Sequence, residues 1–511
     1  MGDRPVAYRF SGMEDEESLD EVTIDKFELL DRVLGEIDTG MFHYLLAALS
    51  AMTLFVEASE VSSLSLVLVA IKDQWGASDS DVSNVASMTS FGMVTGVILF
   101  GKLASWVGRR PIYIASLSMT LAFGFISSFA STTKMFAFWR MLLGVGYGGN
   151  LVITIPYLIE FLPSVARGKY CAIVQTGYTL GATFVIVLCG TALDVIGWQW
   201  VLRISSLIGL PVLFALIAFV PDSPRYLVMT GRFQEAVESV ETICRVNKKE
   251  FPNWFNEAEL RKSPIVAEDE HRTSNLLLRK SVLVTLGPLL CIWFFQAFGS
   301  TYIVFLPLHL REYLNIENIQ YSVAYAGLVG NWLGAFVILC FPRYLLRLRE
   351  IRAAPAVMGI CIFIIGFNQK KHVLTLTVVS ILYLNMSVIF HGLYTYTAEV
   401  FPTKTRVAAF SACQLAHRMA PVGSPVLLTF LESKSFLLAS VVYGSFYLLV
   451  SLIAMTMLTR ETLGMHIDEK EDEGGFKRIS AESIDIQMTN HSRQFKSEVV
   501  RRSSSVLSDE P

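Results

Sequence analysis

The chain is poor in charge. Only 17% of its 511 residues are Asp, Glu, Lys or Arg, while 53% are hydrophobic. Soluble domains carry about 25% charged residues, so a fold solvated mainly by water is excluded and lipid must cover most of this one. Basic residues fall in short loops between apolar runs, which excludes a nucleic-acid surface. The seven cysteines show no CxxC spacing and six of them sit in apolar runs, so neither a disulfide framework nor a metal site is expected. No phosphate-binding loop and no catalytic-triad signature is present. An ATP-driven pump and a membrane enzyme are thereby set aside, and no cofactor is expected. Signal-peptide character is missing too, because residues 1–40 hold twelve acids and four basic residues. The first apolar run is expected to serve as the targeting signal.

What is present is a series of twelve apolar stretches, each near the length of about 20 residues that a spanning helix needs. They cover approximately 42–70, 83–107, 111–131, 135–161, 169–193 and 198–221, then 282–309, 321–342, 354–369, 373–398, 405–431 and 436–459. A polar segment divides them six and six. The organisation expected is an acidic N-terminus (1–41), a six-helix half (42–221), a central loop (222–281), a second six-helix half (282–459) and a polar tail (460–511). Within the N-terminus, Thr23 to Leu34 has apolar residues at helical spacing and predicts a short amphipathic helix. With that end inside, the inner loops hold 21 Lys and Arg against six outside, which places both termini in the cytoplasm.

The halves echo each other. Glu160-Phe-Leu-Pro-Ser-Val-Ala-Arg167 follows span four, and Glu399-Val-Phe-Pro-Thr-Lys-Thr-Arg406 follows span ten, a shift of 239 residues. Asp222 and Glu461 keep the same offset, as do Glu57 and Gln296. Parallel six-span repeats are a transporter architecture, with the substrate held near the midplane between the halves. The fold class expected is therefore an all-α membrane protein of twelve transmembrane helices in two pseudo-symmetric halves.

Span one carries Leu54-Phe-Val-Glu57-Ala-Ser-Glu60-Val61, two acids one turn apart on one helix face. Carboxylates inside a membrane face protein or a water-filled cavity, and two like charges so close favour keeping a proton. The pair is a candidate proton carrier; the other reading is an acid pair held by internal hydrogen bonds. Arg140 also lies in an apolar span and needs a partner. In span eleven, Gln414-Leu-Ala-His-Arg418 places a permanent planar cation suited to a carboxylate.

Gly101-Lys-Leu-Ala-Ser-Trp-Val-Gly108-Arg109-Arg110 resembles the loop two–three signature of the major facilitator superfamily. Arg140-Met-Leu-Leu-Gly144-Val-Gly146-Tyr-Gly148-Gly149 resembles its fourth-span motif, and Pro221-Asp222-Ser-Pro-Arg225 resembles the sequence closing the first half of sugar and organic-ion carriers. Within the superfamily the chain looks most like the synaptic-vesicle-protein-related and organic cation/anion transporter group, through Glu57, Glu60 and the two Glu…Arg loops. It departs from the pattern at Ser105, at Arg460, and in 341–349, which lacks the second-half glycines.

The resemblance implies a monomeric secondary transporter of a small organic ion, working by alternating access in a plasma or vesicle membrane. Arg418 stands where anion carriers of the group hold arginine, which implies an organic anion moved together with protons. Two readings of Arg418 stay open, a substrate anchor or a structural partner of Glu57 or Glu60. Glu57 and Glu60 are the proton-coupling candidates. Arg418, Gln296, Asn150, Gln175, Asn331, His391 and Tyr394 are the substrate-site candidates. The gate candidates are Gly101, Gly108, Arg109, Arg110, Glu160, Arg167, Asp222, Arg225, Glu399, Arg406 and Glu461. The alternatives are an organic-cation carrier with the acids as counter-ion, and a transporter-fold regulator acting through its termini.

Overall fold

A computed structural model describes residues 26–163, 166–262, 280–314, 318–340, 347–367, 372–401 and 403–458. The expected N-terminal helix forms as α1 (Lys26–Ile37). Its Leu29, Leu30, Val33, Leu34 and Ile37 make a buried stripe at helical spacing. The first six spans are α2 (Met41–Trp75), α3 (Asp79–Val107), α4 (Arg109–Ser127), α5 (Thr133–Ile159), α6 (Arg167–Ile196) and a sixth broken into α7 (Trp198–Leu207) and α8 (Leu210–Phe219). The central polar segment is not plain loop. It contains α9 (Pro224–Met229), α10 (Phe233–Asn247) and α11 (Glu257–Lys262). The second half follows as α12 (Lys280–Leu314), α13 (Ile319–Cys340), α14 (Arg347–Phe367), α15 (His372–Val400), α16 (Thr403–Glu432) and α17 (Phe436–Met457).

Ten of these helical spans are long and apolar enough to cross a membrane on composition alone. The two that fall short are α4, which opens on two arginines, and α16, which carries His417, Arg418 and Gln414. Both are held in the bundle by packing, α4 against α5 and α16 against α12 and α3. Twelve helices in two halves result. The pairing repeats: α2 packs on α6 as α12 does on α16, and α3 packs on α5 as α13 does on α15.

Close approach explains the glycines of span four. A Cβ on Gly148 would lie 2.2 Å from the Met93 carbonyl oxygen, so the α3 and α5 backbones touch there. Gly148→Ala is expected to destabilise the protein by about 1–3 kcal/mol through overpacking, read as a lower thermal unfolding midpoint in detergent. A Cβ on Gly423 would meet nothing within 4 Å, so Gly423→Ala should leave the midpoint unchanged or higher.

The buried apolar residues form two clusters. One contains α1, α9–α11 and the adjoining ends of the first-half helices. The other joins the whole second half to the far ends of α2, α3, α5, α6 and to α7. The halves thus share a core at the face opposite α1. Three polar ties lie on that side: Arg311 with Asp73 at 2.7 Å, the Tyr321 hydroxyl donating to Asp194 at 2.9 Å, and the Trp332 indole donating to Thr183 at 3.1 Å. At the α1 face the apolar core of the first half contains no second-half residue among the described residues. Among the described residues, the apolar core and polar ties shared by the two halves lie at the face opposite α1.

Candidate functional site

Glu57 and Glu60 share a helix face yet have different surroundings. Glu60 is fully buried, and its carboxylate accepts from Arg140 Nη1 at 2.7 Å and from the Ser206 hydroxyl at 2.8 Å. Arg140 also donates to the Glu60 backbone carbonyl at 2.9 Å. One charge-assisted network therefore ties α2, α5 and α7 together. This is the partner that Arg140 required. The repeat has no second copy of it, since the positions shifted by 239 are Gly299 and Val379.

Glu57 is buried just as deeply, but neither carboxylate oxygen has a hydrogen-bond partner among the described residues. Asn150 lies beside it as its nearest polar neighbour, giving one amide hydrogen to Thr120 at 3.1 Å and accepting at its carbonyl from Ser116 at 2.7 Å. The charge that Glu57 feels most is Arg418, from the other half. Its repeat counterpart Gln296 is in the same condition: buried, with Nε2 and Oε1 both unpartnered. Buried polar atoms are almost always satisfied, so Glu57 and Gln296 stand out as unpartnered polar groups at equivalent places in the two halves.

Around Arg418 stand three tyrosines. The guanidinium lies 5.5 Å from the Tyr147 ring, a cation–π distance, and Tyr178 and Tyr394 are its other electrostatic neighbours. Arg418 Nε has no hydrogen-bond partner. Glu57, Tyr147, Tyr178, Tyr394 and Arg418 thus meet from five helices, α2, α5, α6, α15 and α16. Tyr178 retains 38% of its surface. Sequence reasoning missed Tyr178; its one signal is its place three residues after Gln175 on the same helix.

The other expected site residues divide. Gln175 lies exposed on α6. Asn331 accepts from Ser387 at 3.1 Å, a bond between α13 and α15. His391 is held by Glu350 at 2.9 Å, a buried acid of α14 that was not singled out from the sequence. Beside Gln296, Phe295 and Phe298 are not among the expected site residues, and they stack on Phe446 and Tyr443 as core of the second half.

At the α1 face the ion pairs repeat. Arg109 reaches Glu160 at 3.3 Å, and Arg347 reaches Glu399 at 3.7 Å. Burial pushes the Glu160 carboxyl up from its ordinary range, and Arg109 opposes that. Gly108 is positioned by necessity: its φ is +111°, and a Cβ would meet Asp222 at 2.8 Å. Arg110 donates from Nη2 to the Ile217 carbonyl at 2.7 Å, and its backbone N–H donates to Asp222 at 3.3 Å. Gly101 sits on α3 with room for a Cβ. Arg167 pairs with Asp31 of α1 at 3.5 Å, and Arg225 pairs with the same carboxylate. Arg406 begins α16, and Glu461 lies outside the described residues.

Comparison with known proteins agrees with this architecture. The Major Facilitator Superfamily profile matches residues 44–384. SVOPL of Mus musculus is 28% identical over 85% of this chain and 92% of its own length. Organic cation/carnitine transporter 7 of Arabidopsis thaliana is 25% identical, covering 86% and 96%. Synaptic vesicle 2-related protein of Pongo abelii is 26% identical, covering 88% and 83%. Among solved structures, the xylose transporter XylE from E. coli in an inward open conformation superposes with a TM-score of 0.63 at 19% identity, over 83% of this chain and 97% of that one. With two repeated six-helix halves, a core shared between them at the face opposite α1, and a profile match over most of its length, the chain belongs to the Major Facilitator Superfamily, a family of membrane transporters rather than enzymes.

Proposed function

We propose that this protein is a proton-coupled transporter of a small organic anion, with residues 42–221 and 282–459 as the bodies that rock about the central site. The observation that carries the reading is Glu57: a carboxylate deep in the bundle, without a hydrogen-bond partner, facing the Arg418 cation across the two halves. Arg418 would hold the substrate carboxylate, with Tyr147, Tyr178 and Tyr394 around it. An anion on Arg418 takes away the counter-charge that Glu57 feels, and a buried carboxylate without a counter-charge is costly. Proton uptake by Glu57 then accompanies substrate binding, which couples the two. Glu60 is the weaker candidate for proton transfer, because Arg140 and Ser206 already satisfy it.

With both termini cytoplasmic, a core shared by the halves at the face away from α1 supports reading this arrangement as the inward-facing arm of an alternating-access cycle. Vesicle-related relatives favour a vesicle membrane. The test is competition for uptake in proteoliposomes. A benzoate-like anion should compete in the wild type, and Arg418→Ala should abolish uptake. Competition by a quaternary ammonium instead would make Glu57 the counter-ion of a cationic substrate and overturn the anion reading.

A further inference from the structure

Asp31 sits on α1, outside the bundle, yet its carboxylate is shared by Arg167 at the start of α6 and Arg225 at the start of α9. Both arginines belong to segments expected to form the inner gate. The nearer acid in sequence, Glu160, is engaged with Arg109.

The helix that carries Asp31 is firmly seated. Its apolar stripe enters the first-half core together with Leu227, Val240, Ile243 and Phe255. Around the rim, Lys26 lies over Phe233 at 4.4 Å and Arg32 over Trp254 at 5.2 Å, and the Trp254 indole donates to Glu36 at 3.0 Å. At its exit, Asn247 of α10 accepts from the Phe42 backbone N–H at 2.9 Å. α1 therefore moves with the first half.

We propose that Asp31 is a positioning residue for the rocking step, which keeps Arg167 and Arg225 turned toward the first half and so favours the state open at the α1 face. Closing that face brings the second half up to these arginines. Glu350 there is buried and held by His391 at 2.9 Å, while Glu399 is partly exposed and lies 3.7 Å from Arg347. Arg167 and Arg225 are suited to pair with Glu399 across the closing gap, and Asp31 competes for the same cations. A contact made in one state and exchanged in the other shifts the balance between them by its difference in strength.

The proposal rests on the alternating-access reading, and its test separates the two. Ser65 of α2 and Val304 of α12 line a crevice between the halves on the side away from α1, at positions related by the repeat offset. In the full-length chain freed of its native cysteines, Ser65→Cys with Val304→Cys reports closure of the far face by its crosslinking rate, and the crosslink should block uptake. Adding Asp31→Asn should slow crosslinking roughly fivefold, the scale of a partly exposed pair. Asp31→Glu should keep the parental rate. Glu36→Gln, the same charge change on the same helix away from the arginines, should also keep it. If Asp31→Asn yields no folded protein, Trp254→Phe loosens the seat of α1 and should slow crosslinking in the same direction. An unchanged rate in Asp31→Asn, or equal slowing in Glu36→Gln, overturns the role of Asp31 alone. Crosslinking that leaves uptake intact overturns the rocking reading and the proposal with it.

Discussion

Glu57→Gln should give a carrier that folds normally and exchanges substrate across the membrane but no longer concentrates it on a proton gradient. Among the described residues the carboxylate has no close hydrogen-bond partner to lose, and Gln296 shows that an amide is accommodated at the equivalent place in the other half. The substitution keeps the shape and removes the titratable group. A gradient of one pH unit is worth about 1.4 kcal/mol per proton, a roughly tenfold accumulation in one-to-one coupling. That tenfold should vanish, while exchange of internal for external substrate continues at a similar rate. Retention of gradient-driven accumulation in this variant would remove Glu57 from the coupling step.

The second large effect falls on the neighbouring acid and has a different character. Glu60→Gln or Arg140→Leu should destabilise the protein by about 3–5 kcal/mol, because each leaves one fully buried charge without its partner. The thermal unfolding midpoint in detergent should fall sharply in either single variant. The double replacement Glu60→Leu with Arg140→Met should recover much of the loss, since it removes both charges together. Singles that unfold at the wild-type temperature would mean the pair contributes little to stability. Two acids one turn apart thus separate cleanly, one expected to be read in coupling and the other in stability.

Much of this was legible in the sequence, for reasons that depend on repetition and polarity. Apolar runs indicated the spans, and the fixed offset marked Glu160 and Glu399 as equivalent acids, which lie near Arg109 and Arg347. Gln296 was found the same way. Spacing could not say which cation takes which acid. Arg140 finds Glu60 across 80 residues, and Arg167 turns to Asp31, 136 residues before it, because helix crossings and not loop distances bring them together. Glu350 was passed over because it lies in an arginine-rich loop, where an acid reads as a solvated surface charge. Tyr178 gave only the weak signal of its spacing from Gln175, since an aromatic residue in an apolar run looks the same whether it faces lipid, core or cavity.

The most direct test of the central claim is uptake of labelled small organic anions by the purified wild-type protein in proteoliposomes, with and without an inward proton gradient. The account predicts anion accumulation above the equilibrium level only when the gradient is present, and none in Arg418→Ala. Accumulation that ignores the gradient, or uptake of cations in place of anions, would contradict it.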